Sequence, residues 1–331
     1  MPEREASAAQ PHPVQLVLPE WEGGEEALRR VRERFRPAGE ILAFPGPAGG
    51  EDELARRVAG AEVALSWLGG TRLSSGVLDR APGLRLVCVV GPWTDRIDLD
   101  AAGRLGICVT NTPGAAVPAV AEMTLALMLA LLRPIPTLPP VASPDGWRPP
   151  LGRELCGKHL GLLGLGAIGS AVARLARALG MTVSAWSPAL TPERAEAHGA
   201  RARPLPEILE EADVVSLHLR WGARTARVLD REAIGRLQRT AVLVNTSRAA
   251  LVDEDALYEA LSQRRIAGAA LDVHGREPLP EDSRWRRLPN VLLTPHCAWS
   301  TGEAVDRMVE MAAGNALAFL RGAPRHVVKA A

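Results

Sequence analysis

Short apolar runs recur along the chain with room for a helix between many of them. In the first third they are VQLVL (14–18), EILAF (40–44), VALSW (63–67), LRLVCVV (84–90) and ICVTN (107–111). After a break come HLGLLGL (159–165), TVSAW (182–186), DVVSLHL (213–219), AVLVNT (241–246), GAALDV (268–273) and VLLTP (291–295). Most are unbroken rather than alternating, as parallel strands covered on both faces should be. Amphipathic stretches such as AIGSAVARLARALG (167–180) and DEDALYEALSQ (253–263) lie between them. The alternation predicts an α/β fold of doubly wound parallel sheets. The break, RPIPTLPPVASPDGWRPP (133–150), carries too many prolines for a continuous helix. Residues 300–322 predict one long closing helix, with Ser300 and Glu303 at capping-box spacing and Gly322 and Pro324 as the stop.

Composition narrows the class. A chain of 331 residues predicts two domains, and 47% hydrophobic residues describe an ordinary globular protein. The longest apolar run, 119–132, is too short to span a bilayer and contains Glu122. The start, MPEREASAAQPHP, lacks the apolar centre of a secretory signal and reads as a disordered tail over 1–13. Cys88, Cys108, Cys156 and Cys297 are widely spaced, so neither a disulfide framework nor a metal site is expected, and a reducing cytoplasm is. A net charge of +1 argues against a nucleic-acid partner. Only Lys158 and Lys329 are lysines among the 39 basic residues, which leaves few candidates for Schiff-base chemistry.

The run 159–165 leads into Gly164, Gly166 and Gly169 in G-x-G-x-x-G spacing, with a helical pattern directly after. A strand before and a helix after give that motif its meaning. The first glycine makes the tight turn, the second admits a pyrophosphate, and the third lets helix pack on strand. Ala167 and Ile168, in the first helical turn, join the three glycines as expected cofactor-binding residues, because unpaired N–H groups there face the phosphates. The acid that usually holds the adenosine ribose about 20 residues on is replaced by Ser187. Without a carboxylate to repel a 2′-phosphate, the expectation is NAD(H) or NADP(H) with a tilt towards NADP(H); Arg194 is the nearest downstream arginine.

Three further stretches follow later strands, at the carboxyl ends where open α/β sheets bind ligands. They are VNTSRAALVDEDAL with Arg248, ALDVHGREPLP with Glu277 and LLTPHCAWST with His296. An arginine can hold a carboxylate by two bonds, and a histidine oriented by a carboxylate can exchange a proton near neutral pH. Beside a nicotinamide, these groups suit hydride transfer between an alcohol and a ketone.

From about Val63 to Phe319 the sequence resembles the D-isomer-specific 2-hydroxyacid dehydrogenase family, on NTPGAAVPAVAEMTLALMLALL, GLLGLGAIG, NTSRAALVDEDAL, LDVHGREP and LLTPHCAWST. The resemblance implies a Rossmann nucleotide-binding domain over 116–298 and a flavodoxin-like substrate domain made of 14–115 plus 299–331. It implies Arg248 for substrate orientation, His296 as general acid–base and Glu277 as its partner, acting on a small-molecule 2-oxo or 2-hydroxy acid. It also implies a homodimer. Leu219, Arg220 and Thr246 fall beside the expected cofactor. Asp272 is counted with them, although its place at a strand end suits a structural role.

The departures point to the substrate. Where the family usually reads Gly-Val-Gly before an Asp-Asn-Ile-Asp, this chain reads GPWTDRID (91–98). Pro92 removes one backbone donor for a substrate carboxylate, and Trp93 fills space that a glycine left. Val90, Gly91, Pro92, Trp93 and Trp299 are therefore the expected substrate-binding residues. Two alanines in SRAALVD narrow the allowed backbone, and His274 stands where an aromatic is common. Two alternatives stay open: a dinucleotide-sensing, corepressor-like binding protein, and the same scaffold with a non-standard substrate.

Overall fold

A computed structural model describes residues 15–21, 24–68, 70–133, 135 and 151–328. The expected tail over 1–13 and nearly all of the proline-rich break lie outside the described residues. The chain divides into two compact units, Met1–Ala116 with Gly302–Ala331, and Val117–Thr301. The junctions expected from the family resemblance, at 115/116 and 298/299, stand one and three residues earlier than these.

In the first unit, β1 (Gln15–Trp21), β2 (Glu40–Pro45), β3 (Val63–Trp67), β4 (Leu86–Val90) and β5 (Cys108–Thr110) form a parallel sheet in the order β2-β1-β3-β4-β5. That is the flavodoxin-like order. Unbroken apolar strands are explained by burial on both faces. Val17, Ala64, Val87 and Val89 pack with Leu54, Val58, Val77 and Ala101 from short helices on one side. Cys88 points the other way, its thiol donating to Ala312 O at 3.3 Å in the long helix Gly302–Leu320. Burial pushes the Cys88 thiol up to about 12, so it behaves as a small apolar side chain.

In the second unit, β6 (His159–Leu163), β7 (Thr182–Trp186), β8 (Arg201–Ala202), β9 (Val214–Leu217), β10 (Val242–Asn245), β11 (Gly268–Leu271) and β12 (Val291–Leu293) are all parallel, in the order β12-β11-β10-β9-β6-β7-β8. The strand order reverses between β6 and β9, the Rossmann switch point where dinucleotides bind.

Each of the eleven apolar runs coincides with one of these strands, β1 and β2 continuing past their runs to Trp21 and Pro45. The two-residue β8 has no apolar run to announce it. The long closing helix starts at Gly302 rather than at Ser300. The Ser300 N–H donates instead to Cys297 O at 2.8 Å, which keeps Ser300 in the preceding turn and leaves Thr301 before the first helical residue. Among the described residues no helix is long and apolar enough to cross a membrane.

Candidate active site

The turn after β6 is shaped by what would collide. Gly164 has φ +106°, and a Cβ there would sit 2.5 Å from the His218 carbonyl carbon and oxygen at the end of β9. A Cβ on Gly169 would sit 2.1 Å from Gly164 O, so helix Ala167–Ala178 closes on the turn only because Gly169 has none. Gly166 differs: nothing lies within 4 Å of its would-be Cβ, and it caps the helix without a side-chain bond. Exposed Gly166 and Ala167 with half-buried Ile168 leave an uncapped helix N-terminus facing open space, which fits a pyrophosphate. Ser187, just beyond β7, is half-buried and brings no carboxylate. A cavity of about 710 Å³ opens beside Gly166 and Ala167, lined also by Ser170, Arg174, Arg194 and His198. Among the described residues neither Arg174 nor Arg194 forms an ion pair; the Arg194 guanidinium donates to Leu165 O at 3.4 Å. A larger hollow, about 1030 Å³, includes His159 and Thr182 at the amino ends of β6 and β7, the opposite end of the sheet from this turn.

Leu219 is buried, and its carbonyl accepts from Ser247 Oγ at 2.6 Å, while Arg220 beside it is exposed. Thr246 Oγ1 lies 3.1 Å from Thr124 Oγ1. Asn245, at the end of β10, folds the next turn: Oδ1 accepts from Ser247 N at 3.0 Å and Nδ2 donates to Arg248 O at 3.0 Å. Arg248 follows in extended conformation, half-buried, with Nη1 donating to Ser247 O at 2.8 Å. The 3-10 turn Ala249–Leu251 then needs no positive φ, which explains how two alanines serve where more permissive residues are usual.

Glu277 and His296 come together across 19 residues, His296 Nδ1 lying 2.8 Å from Glu277 Oε2. Glu277 Oε1 accepts from the His274 backbone N–H at 2.9 Å. Burial raises the carboxyl's pKa, but the bonds from His296 and from the His274 backbone outweigh it and hold Glu277 below its usual range. An ionised Glu277 keeps the proton on His296 Nδ1 and so assigns exchange with substrate to Nε2. A second imidazole of this unit is unsuited to that task. His218, with Nε2 at 2.9 Å from Ser216 Oγ, is pushed down to about 3 by burial although its edge reaches solvent.

His296 has φ +53°, a left-handed conformation that a non-glycine residue adopts only when its surroundings impose it. Asp272 is the main support. Fully buried, it accepts at Oδ1 from Thr294 Oγ1 (2.6 Å) and Cys297 N (2.9 Å), and at Oδ2 from Ala298 N (2.9 Å). Asp272 thus anchors the histidine loop through both of its oxygens. Trp299 adds a bond from Nε1 to His296 O at 3.0 Å.

The first unit carries the unusual loop. Val90 is buried at the end of β4, and Gly91 has φ +144° with its carbonyl accepting from Thr112 N at 3.0 Å. The Trp93 indole folds back on Gly91, so a Cβ there would meet its ring at 2.9 Å. Pro92 lacks a donor, but its carbonyl accepts from Asn111 Nδ2 at 3.0 Å, and Asn111 O accepts from buried Asn315 Nδ2 at 2.9 Å. Asn111 opens the NTPGAAVP stretch without a role that its spacing reveals, and Asn315 lies in none of the family stretches. Among the described residues no group of three or more His, Cys, Asp or Glu is placed to hold a metal ion.

Residues 125–298 match the family model described as D-isomer specific 2-hydroxyacid dehydrogenase, NAD binding domain. The chain is 41% identical over 268 residues to a glyoxylate reductase of Aeropyrum pernix, covering 78% of this chain and 80% of that protein. The chain belongs to the D-isomer-specific 2-hydroxyacid dehydrogenase family. It is therefore an oxidoreductase with a nicotinamide-dinucleotide-binding Rossmann domain. Two solved structures extend the likeness over both units. The TT0316 protein of Thermus thermophilus has a TM-score of 0.81 at 38% identity, covering 95% of this chain and 100% of that one. An acyclic imino acid reductase in complex with NADPH and D-Arg has a TM-score of 0.79 at 26% identity, with the same coverage. The Gly-rich turn, Arg248, Glu277 and His296 all lie within the residues that the family model matches.

Proposed function

We propose that this family member reduces a small or medium 2-oxo acid with a preference for NADPH, His296 giving the proton and Arg248 holding the substrate oxygens. The observation that carries the reading is the 2.8 Å contact between His296 Nδ1 and Glu277 Oε2. Gly164, Gly166 and Gly169 would hold the dinucleotide, which when bound would supply the hydride for C2 of the oxo acid. Arg248 orients the acid and stabilises charge on the carbonyl oxygen. His296 delivers a proton from Nε2 to that oxygen, and Glu277 stabilises the imidazolium form before transfer. Oxidation of the 2-hydroxy acid runs the same steps backwards. As in the family resemblance, the working form is a homodimer.

The cofactor preference rests on Ser187 and on the cavity beside Gly166, where Arg174 and Arg194 offer positive charge to a 2′-phosphate. A second reading keeps the scaffold and changes the substrate to an imine of a 2-oxo acid. It is favoured by the Pro92–Trp93 loop and by the likeness to an imino acid reductase.

The test is NAD(P)H consumption with a panel of 2-oxo acids, with and without ammonium or amines, for the wild type and for His296→Ala. Loss of turnover in the variant, by a factor of at least about 100, with unchanged dinucleotide binding supports the mechanism. An unchanged kcat rejects it. NAD(P)H oxidation that depends on amine selects the imine substrate. Tighter binding of NADH than of NADPH overturns the cofactor preference.

A further inference from the structure

His274 has no part in the proton path, yet it is nine-tenths buried within the loop that bears Glu277. Its ring Nε2 lies 2.9 Å from Thr294 O. A carbonyl only accepts, so Nε2 carries the proton and donates it. The other ring nitrogen, Nδ1, is buried without a hydrogen-bond partner. Leaving a buried polar atom unpaired costs about 1–3 kcal/mol, and an apolar ring would avoid that cost. The donor at Nε2 is what an imidazole offers here that an apolar ring does not.

That donor is well placed. Thr294 ends the stretch that leads through Pro295 to His296, whose φ of +53° has to be enforced. Asp272 holds the Thr294 hydroxyl and the backbone beyond His296. His274 holds the Thr294 carbonyl, and its own backbone N–H holds Glu277 Oε1 at 2.9 Å. One residue thus touches both partners' loops, the acid through its main chain and the histidine loop through its ring.

We propose that His274 is a positioning residue: its imidazole ties the backbone two residues before His296 to the Glu277 loop and keeps the two side chains in bonding register. The proposal rests on the reading of His296 and Glu277 as the proton-transfer pair. Loss of register by a fraction of an ångström lowers the rate of the chemical step without weakening dinucleotide binding.

The experiment compares His274→Phe, which keeps the volume and removes both ring nitrogens, with His274→Gln, whose amide can still reach Thr294 O as a donor. Expected for His274→Phe is a kcat roughly tenfold lower, an unchanged KM for the dinucleotide, and a thermal midpoint that does not fall with it. His274→Gln should recover most of the rate. The proton on His296 Nδ1, bonded to a carboxylate, is followed by NMR in the protein without substrate. Its downfield signal should broaden in the Phe variant and persist in the Gln variant. Should the Phe variant not fold, His274→Leu takes its place. Wild-type kcat and an unchanged signal in the apolar variant overturn the proposal. If the wild type reduces none of the oxo acids, the reaction assignment is what fails, and the proton signal still decides the role of His274.

Discussion

Glu277 shows how a half-exposed side chain acquires a defined charge state. Its carboxyl is held below the ordinary range against the opposing effect of burial, by His296 and by the His274 N–H. A folded-state pKa below the unfolded value of about 4.3 adds stability that is complete above that value. The contribution disappears as pH falls through the folded value. Glu277→Gln removes it and leaves His296 without an anionic partner. The variant's kcat for 2-oxo acid reduction is expected to fall about 100-fold at neutral pH. Its stability deficit against wild type, followed as a thermal midpoint across the acid range, should shrink below about pH 4. A deficit constant with pH would show that Glu277 matters only as a packed side chain. At this scale Arg248, Glu277 and His296 were legible because each sits in a distinctive short stretch after a strand. Asn245, Asn111 and the ring of His274 were not, because their work is hydrogen bonding to backbone that sequence spacing does not reveal. Asp272 was legible as an acid at a strand end suited to a structural role, and its three bonds to the histidine loop show which loop it holds.

The strand–turn–helix of β6 and helix Ala167–Ala178 separates two uses of glycine that one motif merges. Gly169 is needed by the fold: a Cβ there would lie 2.1 Å from the Gly164 carbonyl oxygen, a backbone atom that cannot swing away. Gly166 is not needed by the fold in this way, because its Cβ would enter open space; in the proposed reading that space belongs to the dinucleotide. Gly169→Ala should therefore destabilise the protein by about 1–3 kcal/mol in chemical denaturation, with dinucleotide binding weakened as a consequence. Gly166→Ala should stay within about 0.5 kcal/mol of wild-type stability while the dinucleotide Kd rises. Equal stability losses in the two variants would contradict this division. Elements were read from the sequence in proportion to their apolar content. The eleven runs declared themselves, whereas β8 is a two-residue edge strand with Arg201 exposed and only Ala202 partly buried. The start of the closing helix was misplaced by two residues because Ser300 spends its N–H on Cys297. Capping-box spacing is identical whether or not that competing turn forms.

In the whole molecule the two halves of the proposed chemistry belong to different units. The Gly-rich turn and Arg248, Glu277 and His296 lie in Val117–Thr301, while the Val90–Trp93 loop lies in Met1–Ala116 with Gly302–Ala331. Each loop is fixed by bonds within its own unit: Asp272, Asn245 and His274 in one, and Asn111, Thr112 and Asn315 in the other. Changes to the substrate end should consequently leave the hydride end intact. Replacing Pro92 by Val restores a backbone donor, and replacing Trp93 by Gly uncovers the Gly91 face on which the indole rests. The double variant is expected to change the order of preference across a 2-oxo acid panel, with lower KM for acids whose carboxylate can use the new N–H. One charge-assisted bond of this kind contributes about 1.5–3 kcal/mol, so a shift of roughly tenfold or more is the scale to look for. The dinucleotide Kd should change by less than about twofold, because none of the residues around Gly166 is altered. A change in dinucleotide affinity together with an unaltered substrate order would show that this loop does not set substrate choice, and would move that determinant to Arg248 and Trp299.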